Sequence, residues 1–73
     1  MSERQDEMKK LTAIATDMGL AAELRIKAID LLGRNTTREA LLVLLDLGAN
    51  EQLYREEREL ALKHAIEIVK AGS

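Results

Sequence analysis

Residues 24–48 read LRIKAIDLLGRNTTREALLVLLDLG. Apolar side chains recur every three or four positions on both sides of the polar RNTT segment, which is the pattern of two amphipathic helices joined by a short turn. Thr36 and Glu39 form a capping box that predicts the start of the second helix. Gly33 and Gly48 follow the two apolar stretches, where a left-handed residue commonly closes a helix. The stretch therefore predicts a helical hairpin.

The flanking sequence predicts one more helix on each side of this hairpin. Before it, an apolar stripe at helical spacing runs as far as Met18, and Ser2 with Gln5 forms a capping box that favours a genuine chain start at Met1. Asn50 is able to cap the last helix. Short connections make consecutive helices antiparallel neighbours. We expect one all-α domain over 1–73, an antiparallel four-helix arrangement with helices near 3–18, 21–33, 37–47 and 51–71.

The composition of the 73 residues excludes several classes of protein. There is no cysteine, which excludes disulfides and thiolate metal sites. The formal net charge is −2, and no basic stripe typical of a nucleic-acid binder is present. The longest apolar run, 40–45, is far shorter than the roughly 20 residues that span a bilayer, and no signal peptide opens the chain. These features predict a cytoplasmic protein without nucleic-acid or membrane partners.

Two of the predicted helices have more apolar surface than a single core uses. At about 100° per residue, Ile26 and Ile29 lie on a different face of the second helix from its leucines. Leu42 stands among polar residues on the third helix. A chain of 73 residues is near the size at which one core barely outweighs chain entropy. These three residues predict a self-association surface, with a homodimer as the expected state.

The chain also contains an internal similarity. Residues 17–19 resemble 46–48 at an offset of 29, and residues 27–32 resemble 64–69 at an offset of 37. The difference between the offsets predicts eight extra residues after Gly48, which correspond to about two helical turns.

The segment with these extra residues is the most polar of the chain. Two interpretations stay open: either the first two turns of the last helix extend beyond the core, or a short separate helix ends at a break near Tyr54. Aromatic and arginine side chains are enriched at interface hot spots. We expect a protein partner to contact Leu53, Tyr54, Arg55 and Arg58, the alternative for Tyr54 being that it packs over its own bundle.

Residues 20–48 contain further features at characteristic spacings. Leu24-Arg25 is an apolar-Arg pair, and Ala28 follows three residues after the arginine. Leu32-Gly33 ends the helix, and the next helix contributes Ala40 and Leu44. In these features the stretch resembles a HEAT-like repeat of the phycobilin lyase type. It departs from that family because the inter-helix turn has no proline and the second unit is lengthened.

The resemblance implies two HEAT-like helical hairpins that serve as a scaffold for protein contacts. It also implies that Arg25 pairs with an aspartate of an adjacent helix, either Asp17 or Asp46. From the residues alone, a surface arginine lying along the protein is equally compatible. About three such units are usually needed for a stable stack, and this chain has at most two. The missing contacts are expected from a partner.

Residues with catalytic or metal-binding potential are few. His64 and Glu67 share a helix face but offer only two metal ligands. The glutamates of segment 55–59 alternate with arginines, which is typical of a solvated helix rather than a carboxylate metal site. No Ser or Thr has a recognisable base partner. No catalytic, cofactor or metal site is predicted, and the chain is expected not to be an enzyme.

The expected function is therefore a non-enzymatic protein–protein interaction domain that self-associates. The alternative is a small regulatory or accessory subunit whose partner supplies the missing repeats. A helix-turn-helix nucleic-acid binder is a third possibility. It is disfavoured because residues 37–47 cannot both fill a core and contact base edges.

Overall fold

A computed structural model of the protein describes residues 3–72. Over these residues the chain forms only helices, which confirms the predicted fold class. They are α1 Glu3–Ala15, α2 Ala22–Arg34, α3 Arg38–Gly48 and α4 Arg55–Ala71. None of these described helices combines the length and the apolar composition needed to cross a membrane.

The helices form two hairpins, α1 with α2 and α3 with α4, which pack on each other mainly through α2 and α4. These two helices run parallel, because Arg25 and Glu57 meet near their starts and Gly33 of α2 lies against His64 further along α4. One apolar core lies between the hairpins. It contains Met8, Ala15, Ala28, Ile29, Leu32, Ala40, Leu44, Leu47, Leu53, Ala61, Ala65 and Ile68.

The buried face of α2 differs from the predicted one. Leu24 and Leu31 are exposed, whereas Arg25 and Ile29 are buried. The reason is that α2 packs against both α1 and α4, so its buried arc is turned toward α4. The two leucines are left on the outer side of the first hairpin.

The start of α3 lies one residue later than predicted. Thr37, rather than Thr36, is the N-cap, and its Oγ1 accepts a hydrogen bond from the Ala40 N–H at 3.1 Å. This bond satisfies one of the amides that have no partner inside the first helical turn. The predicted capping box of Ser2 and Gln5 lies outside the residues whose side chains the structure describes.

The connection between α3 and α4 is a turn that ends at Tyr54. Asn50 does not cap α4; its Oδ1 accepts a hydrogen bond from the Gln52 N–H at 3.0 Å, forming an Asx turn. The helix begins at Arg55, after Tyr54 in an extended conformation. The interpretation with a break near Tyr54 is therefore the closer one, but the residues before the break form a turn instead of a short helix.

Gly33 and Gly48 lie in the last turns of α2 and α3, and no glycine of the described residues has a positive φ. The predicted left-handed closure is therefore wrong. A Cβ at Gly33 would overlap the ring of His64, and one at Gly48 would overlap the Leu62 side chain. These positions need glycine because α4 approaches both backbones closely.

The two hairpins repeat with a single period of 33 residues. α1 and α3 end 33 residues apart, at Ala15 and Gly48, and α2 and α4 begin 33 residues apart, at Ala22 and Arg55. Both connecting loops therefore have the same length, and the predicted eight-residue insertion is wrong. The extra length of the second unit lies at the far end of α4, which has 17 residues against 13 in α2.

The two loops also share their hydrogen bonds. Asp17 Oδ1 accepts from the Gly19 N–H at 2.9 Å, and Asn50 Oδ1 accepts from the Gln52 N–H at 3.0 Å. The backbone carbonyls of Asp17 and Asn50 each accept from the residue three positions on, at 3.1 Å in both loops. The loops and the helix ends that they join are thus equivalent position by position.

Candidate interaction surface

Arg25 and Glu57 form a buried ion pair at the junction of the two hairpins. Arg25 Nε donates to Glu57 Oε1 at 3.2 Å, and Nη2 donates to Oε2 at 3.0 Å, a bidentate geometry. Both side chains are 2% exposed. Removing a charge from water is costly unless it is paired and hydrogen-bonded. The pair therefore specifies how α2 and α4 are aligned.

The remainder of the Arg25 guanidinium is satisfied by the first loop and by Tyr54. Its Nη1 donates to the backbone carbonyl of Asp17 at 3.3 Å and to that of Leu20. The Tyr54 ring centroid lies 5.5 Å from the guanidinium carbon, within cation–π distance. The hydrogen bond to Glu57 raises the pKa of Arg25, with burial acting in the opposite direction, so the guanidinium stays charged.

These contacts correct two expectations. Arg25 does not pair with the carboxylate of Asp17 or Asp46, and it is not a surface residue. Glu57 is not on a solvated helix face. Because α4 begins at Arg55 rather than at 51, Glu57 belongs to a first turn that packs against α2.

Arg58 is the counterpart of Arg25 in the second hairpin. Each is the fourth residue of its helix, and each is followed three residues later by a buried alanine, Ala28 or Ala61. Arg25 has a carboxylate partner from the next hairpin. The Nε of Arg58 is enclosed and has no hydrogen-bond partner among the described residues. The same arginine position is therefore satisfied at the junction and unsatisfied at the end.

The surface around Arg58 is the outer side of the second hairpin. In the first hairpin, Arg25 and Gly33 of α2 face α4, and Ile29 lies between them at the i+4 spacing of one helix face. The equivalent residues of α4 therefore face the place that a third hairpin would occupy. They are Arg58, Leu62 and Ile66.

α3 adds two leucines to this outer side. In the first hairpin, Lys9 and Thr12 of α1 line a groove with Val43 of α3, so they are on the side of α1 that faces the second hairpin. Leu42 and Leu45 follow them by 33 residues and therefore lie on the outer side of α3. We define the C-terminal end face as Leu42, Leu45, Arg58, Leu62 and Ile66. Its four apolar side chains are between 40% and 54% exposed. Arg58 itself lines an open groove with Gly48, Arg55, Glu59 and Leu62.

The opposite end of the stack has a different chemistry. Leu24 and Leu31 are the equivalents of Glu57 and His64, and both leucines are exposed on α2. We call these two leucines the N-terminal end face. It has no carboxylate at the position that Glu57 occupies in the second hairpin.

Two of the predicted interface residues are buried inside the chain itself. Ile29 is 0% exposed because α2 is covered by α1 and α4, and Leu53 is 2% exposed because its loop turns it into the core. Neither is available to a partner in the folded chain, so these two predictions are wrong.

The remaining predicted interface residues are at least partly accessible. Tyr54 is 61% exposed although it stacks on Arg25. Ile26 is partly buried and lines a groove beside Tyr54. Of the others, Leu42 and Arg55 are exposed and Arg58 is partly buried.

Three residues of the C-terminal end face were not predicted from the sequence: Leu45, Leu62 and Ile66. The signal that identifies them is the Arg-x-x-Ala spacing that begins at Arg25 and again at Arg58. The shorter similarities at offsets of 29 and 37 obscured it.

His64 connects α2 and α4. Its Nε2 lies 2.8 Å from Asp30 Oδ1, and its Nδ1 lies 3.2 Å from Glu67 Oε1. Both ring nitrogens therefore face carboxylates of the same chain. Within the described part of the chain, no group of three or more side chains is arranged to hold a metal ion.

No family model, curated protein or solved structure matches this chain.

Proposed function

We propose that the chain is a non-enzymatic protein–protein interaction domain of the HEAT-like type, which binds through its C-terminal end face. The observation that supports this proposal is the difference between Arg25 and Arg58. The Arg25 guanidinium is paired with Glu57 of the next hairpin, whereas Arg58 lines an open groove beside Leu62 and lacks a partner for Nε in the described chain. A surface of this kind is typical of a solenoid unit whose neighbour is another molecule.

A second copy of the chain is the simplest occupant of the surface. Burying the exposed parts of the four apolar side chains contributes about 1 kcal/mol each. Because both copies bury their four side chains, the total of about 8 kcal/mol exceeds the lower end of the cost of lost translational and rotational freedom by about 4 kcal/mol, which corresponds to a Kd of about 1 mM. Self-association through this face is therefore weak, and homodimers form only at high concentration.

The unsatisfied Arg58 favours the second candidate, a regulatory or accessory subunit. A different protein can supply both apolar contacts and a carboxylate, so that a charge-assisted hydrogen bond adds to the free energy gained by burying apolar surface. In this role the domain occupies one end of a longer helical stack that its partner completes.

Sedimentation equilibrium over a wide concentration range tests the proposed surface. We expect a monomer at micromolar concentration and an average molar mass that rises toward that of a dimer at about millimolar concentration, as the free energy of burying the four apolar side chains implies. Leu62→Asp places a charge in the face and should keep the chain monomeric. Met18→Asp, at an exposed position in the first loop, is the matched control.

Two outcomes contradict self-association through this face. A wild-type chain that stays monomeric at the highest concentration has no self-complementary apolar surface, and only the role as an accessory subunit is then left. A rise in mass that Leu62→Asp leaves unchanged would place the association on another part of the molecule.

A further inference from the structure

We propose that the C-terminal end face recognises a helix of a different protein by two features. The helix has a carboxylate in its first turn, which pairs with Arg58, and a small residue seven positions later, which lies against Ile66. This inference rests on the proposed function and defines the chemistry of the partner.

The carboxylate follows from the junction inside the chain. Glu57 is the third residue of α4, and its two oxygens accept from Nε and Nη2 of Arg25. Arg58 is the equivalent of Arg25, and its Nε has no such acceptor within the described residues. Arg58 is only partly buried and lines an open groove, so the outer part of its guanidinium is within reach of an incoming side chain. Because Nε itself is enclosed, the side chain turns toward the groove when a carboxylate from a helix start pairs with it as Glu57 pairs with Arg25.

The small residue follows from a difference between the two hairpins. At the internal junction, Gly33 leaves room for His64, which is seven positions after Glu57. At the open end the equivalent of Gly33 is Ile66, which is 54% exposed. A side chain as large as histidine would collide with Ile66, so the partner helix needs Ala or Gly at that position.

A second copy stacked head to tail does not fit these requirements. Its N-terminal end face would present Leu24 to Arg58, where a carboxylate is needed, and Leu31 to Ile66, where a small residue is needed. A second copy therefore does not continue the stack in this way, which favours a matching helix from a different protein.

The same mismatch provides the test. Leu24→Glu with Leu31→Ala gives every copy the two features, at exposed positions where neither substitution opens the core. Position 24 is the third of α2, and Glu57 likewise occupies the third position of α4. We expect these chains to associate head to tail, and head-to-tail contacts that do not close form open-ended oligomers.

The measurement is the weight-average mass by sedimentation equilibrium at concentrations where the wild-type chain is monomeric. The matched control is Leu24→Gln with Leu31→Ala, which has the same shape without the charge. We expect the Glu variant to associate at least ~10-fold more tightly than the Gln variant, with the difference decreasing at high salt. Adding Arg58→Gln to the Glu variant should remove the difference, and circular dichroism verifies that each variant is folded.

Equal association of the Glu and Gln variants overturns the inference. If both associate and Leu62→Asp dissociates them, the proposed function stands and only the recognition of a carboxylate fails. If neither variant nor the wild-type chain associates at any concentration, the proposed function fails as well. Association of the Glu variant that persists after Arg58→Gln contradicts the assignment of Arg58.

Discussion

Arg25 and Arg58 occupy the same position of two successive hairpins, and their surroundings are opposite. At the junction, Arg25 is enclosed by Glu57, two loop carbonyls and the Tyr54 ring. At the open end, Arg58 lines a groove, and its Nε is unsatisfied in the described chain. The difference shows that one hairpin does not complete its own arginine, because the carboxylate comes from the hairpin that follows.

The apolar and small residues show the same difference between junction and end. Ile29 is fully buried, whereas its equivalent Leu62 is partly exposed. Gly33 allows a close contact with His64, whereas its equivalent Ile66 protrudes into solvent. The junction is thus closely packed, and the equivalent positions of the C-terminal end face are exposed and have a different shape.

The largest expected effect separates the two arginines. Arg25→Met leaves the buried Glu57 carboxylate without a positive charge beside it and with only the Tyr54 N–H, 3.4 Å from Oε1, as a donor. We expect the unfolding midpoint to fall by roughly 15 °C or more. Arg58→Met removes an unsatisfied group from the end face and should change the midpoint by only a few degrees, roughly within the range of an ordinary surface substitution. Thermal unfolding followed by circular dichroism at micromolar concentration measures both.

A double variant identifies the cause of the Arg25 effect. Replacing both members of a buried ion pair by apolar residues is often close to neutral. Arg25→Met combined with Glu57→Met should therefore recover most of the lost stability. Equal losses for Arg25→Met and Arg58→Met would show that the two positions are not as different as their contacts indicate.

An intermediate effect is expected at the glycines. Gly33→Ala forces a Cβ into the His64 ring, which Asp30 and Glu67 hold on both sides. We expect a net loss of about 1–3 kcal/mol, because overpacking outweighs the gain of about 1 kcal/mol in helix propensity. Gly48→Ala should cost less, since Leu62 is partly exposed and can turn toward solvent. Urea denaturation of both variants provides the comparison.

His64→Ala is the control for Gly33→Ala. In that background the two ring contacts are gone and only the Cβ of residue 64, at 2.9 Å, remains close to a Cβ at position 33. The substitution should therefore cost much less than it does in the wild-type chain. A Gly33→Ala chain more stable than wild type would mean that α2 and α4 are not in close contact at this point.

The smallest expected effect tests the equivalence of the two loops. Asp17→Ala and Asn50→Ala each remove one Asx-turn hydrogen bond of nearly equal length. We expect each to lower the free energy of unfolding by about 0.5–1 kcal/mol, with Asp17→Ala the larger loss because its carboxylate is charged and also attracts Arg25. Chemical denaturation of the two variants measures the pair. A loss in only one of them would break the equivalence on which the comparison of Arg25 with Arg58 depends.

Much of the local structure could be predicted from the residues. Helical periodicity indicated four helices and placed Gly33 and Gly48 near their ends. Which apolar face of each helix is buried in the core was less predictable. Ile29 was assigned to a surface and Leu24 to the core, because periodicity defines an arc on one helix without showing which neighbours cover it.

The candidate site was only partly predictable for a related reason. Arg58 and Leu42 were identified from the sequence, but Leu62 and Ile66 were not. Their significance depends on the 33-residue equivalence, which becomes clear when the two loops are seen to have the same hydrogen bonds.

The sequence by itself determined the all-helical class and the number of helices, because these follow from composition and local periodicity. Only the tertiary structure decided that Arg25 pairs with Glu57, that the glycines serve close packing, and that Arg58 is left at an open end. Those outcomes depend on which helices meet, and the free energy of a charged or apolar side chain is set by the neighbours that cover it.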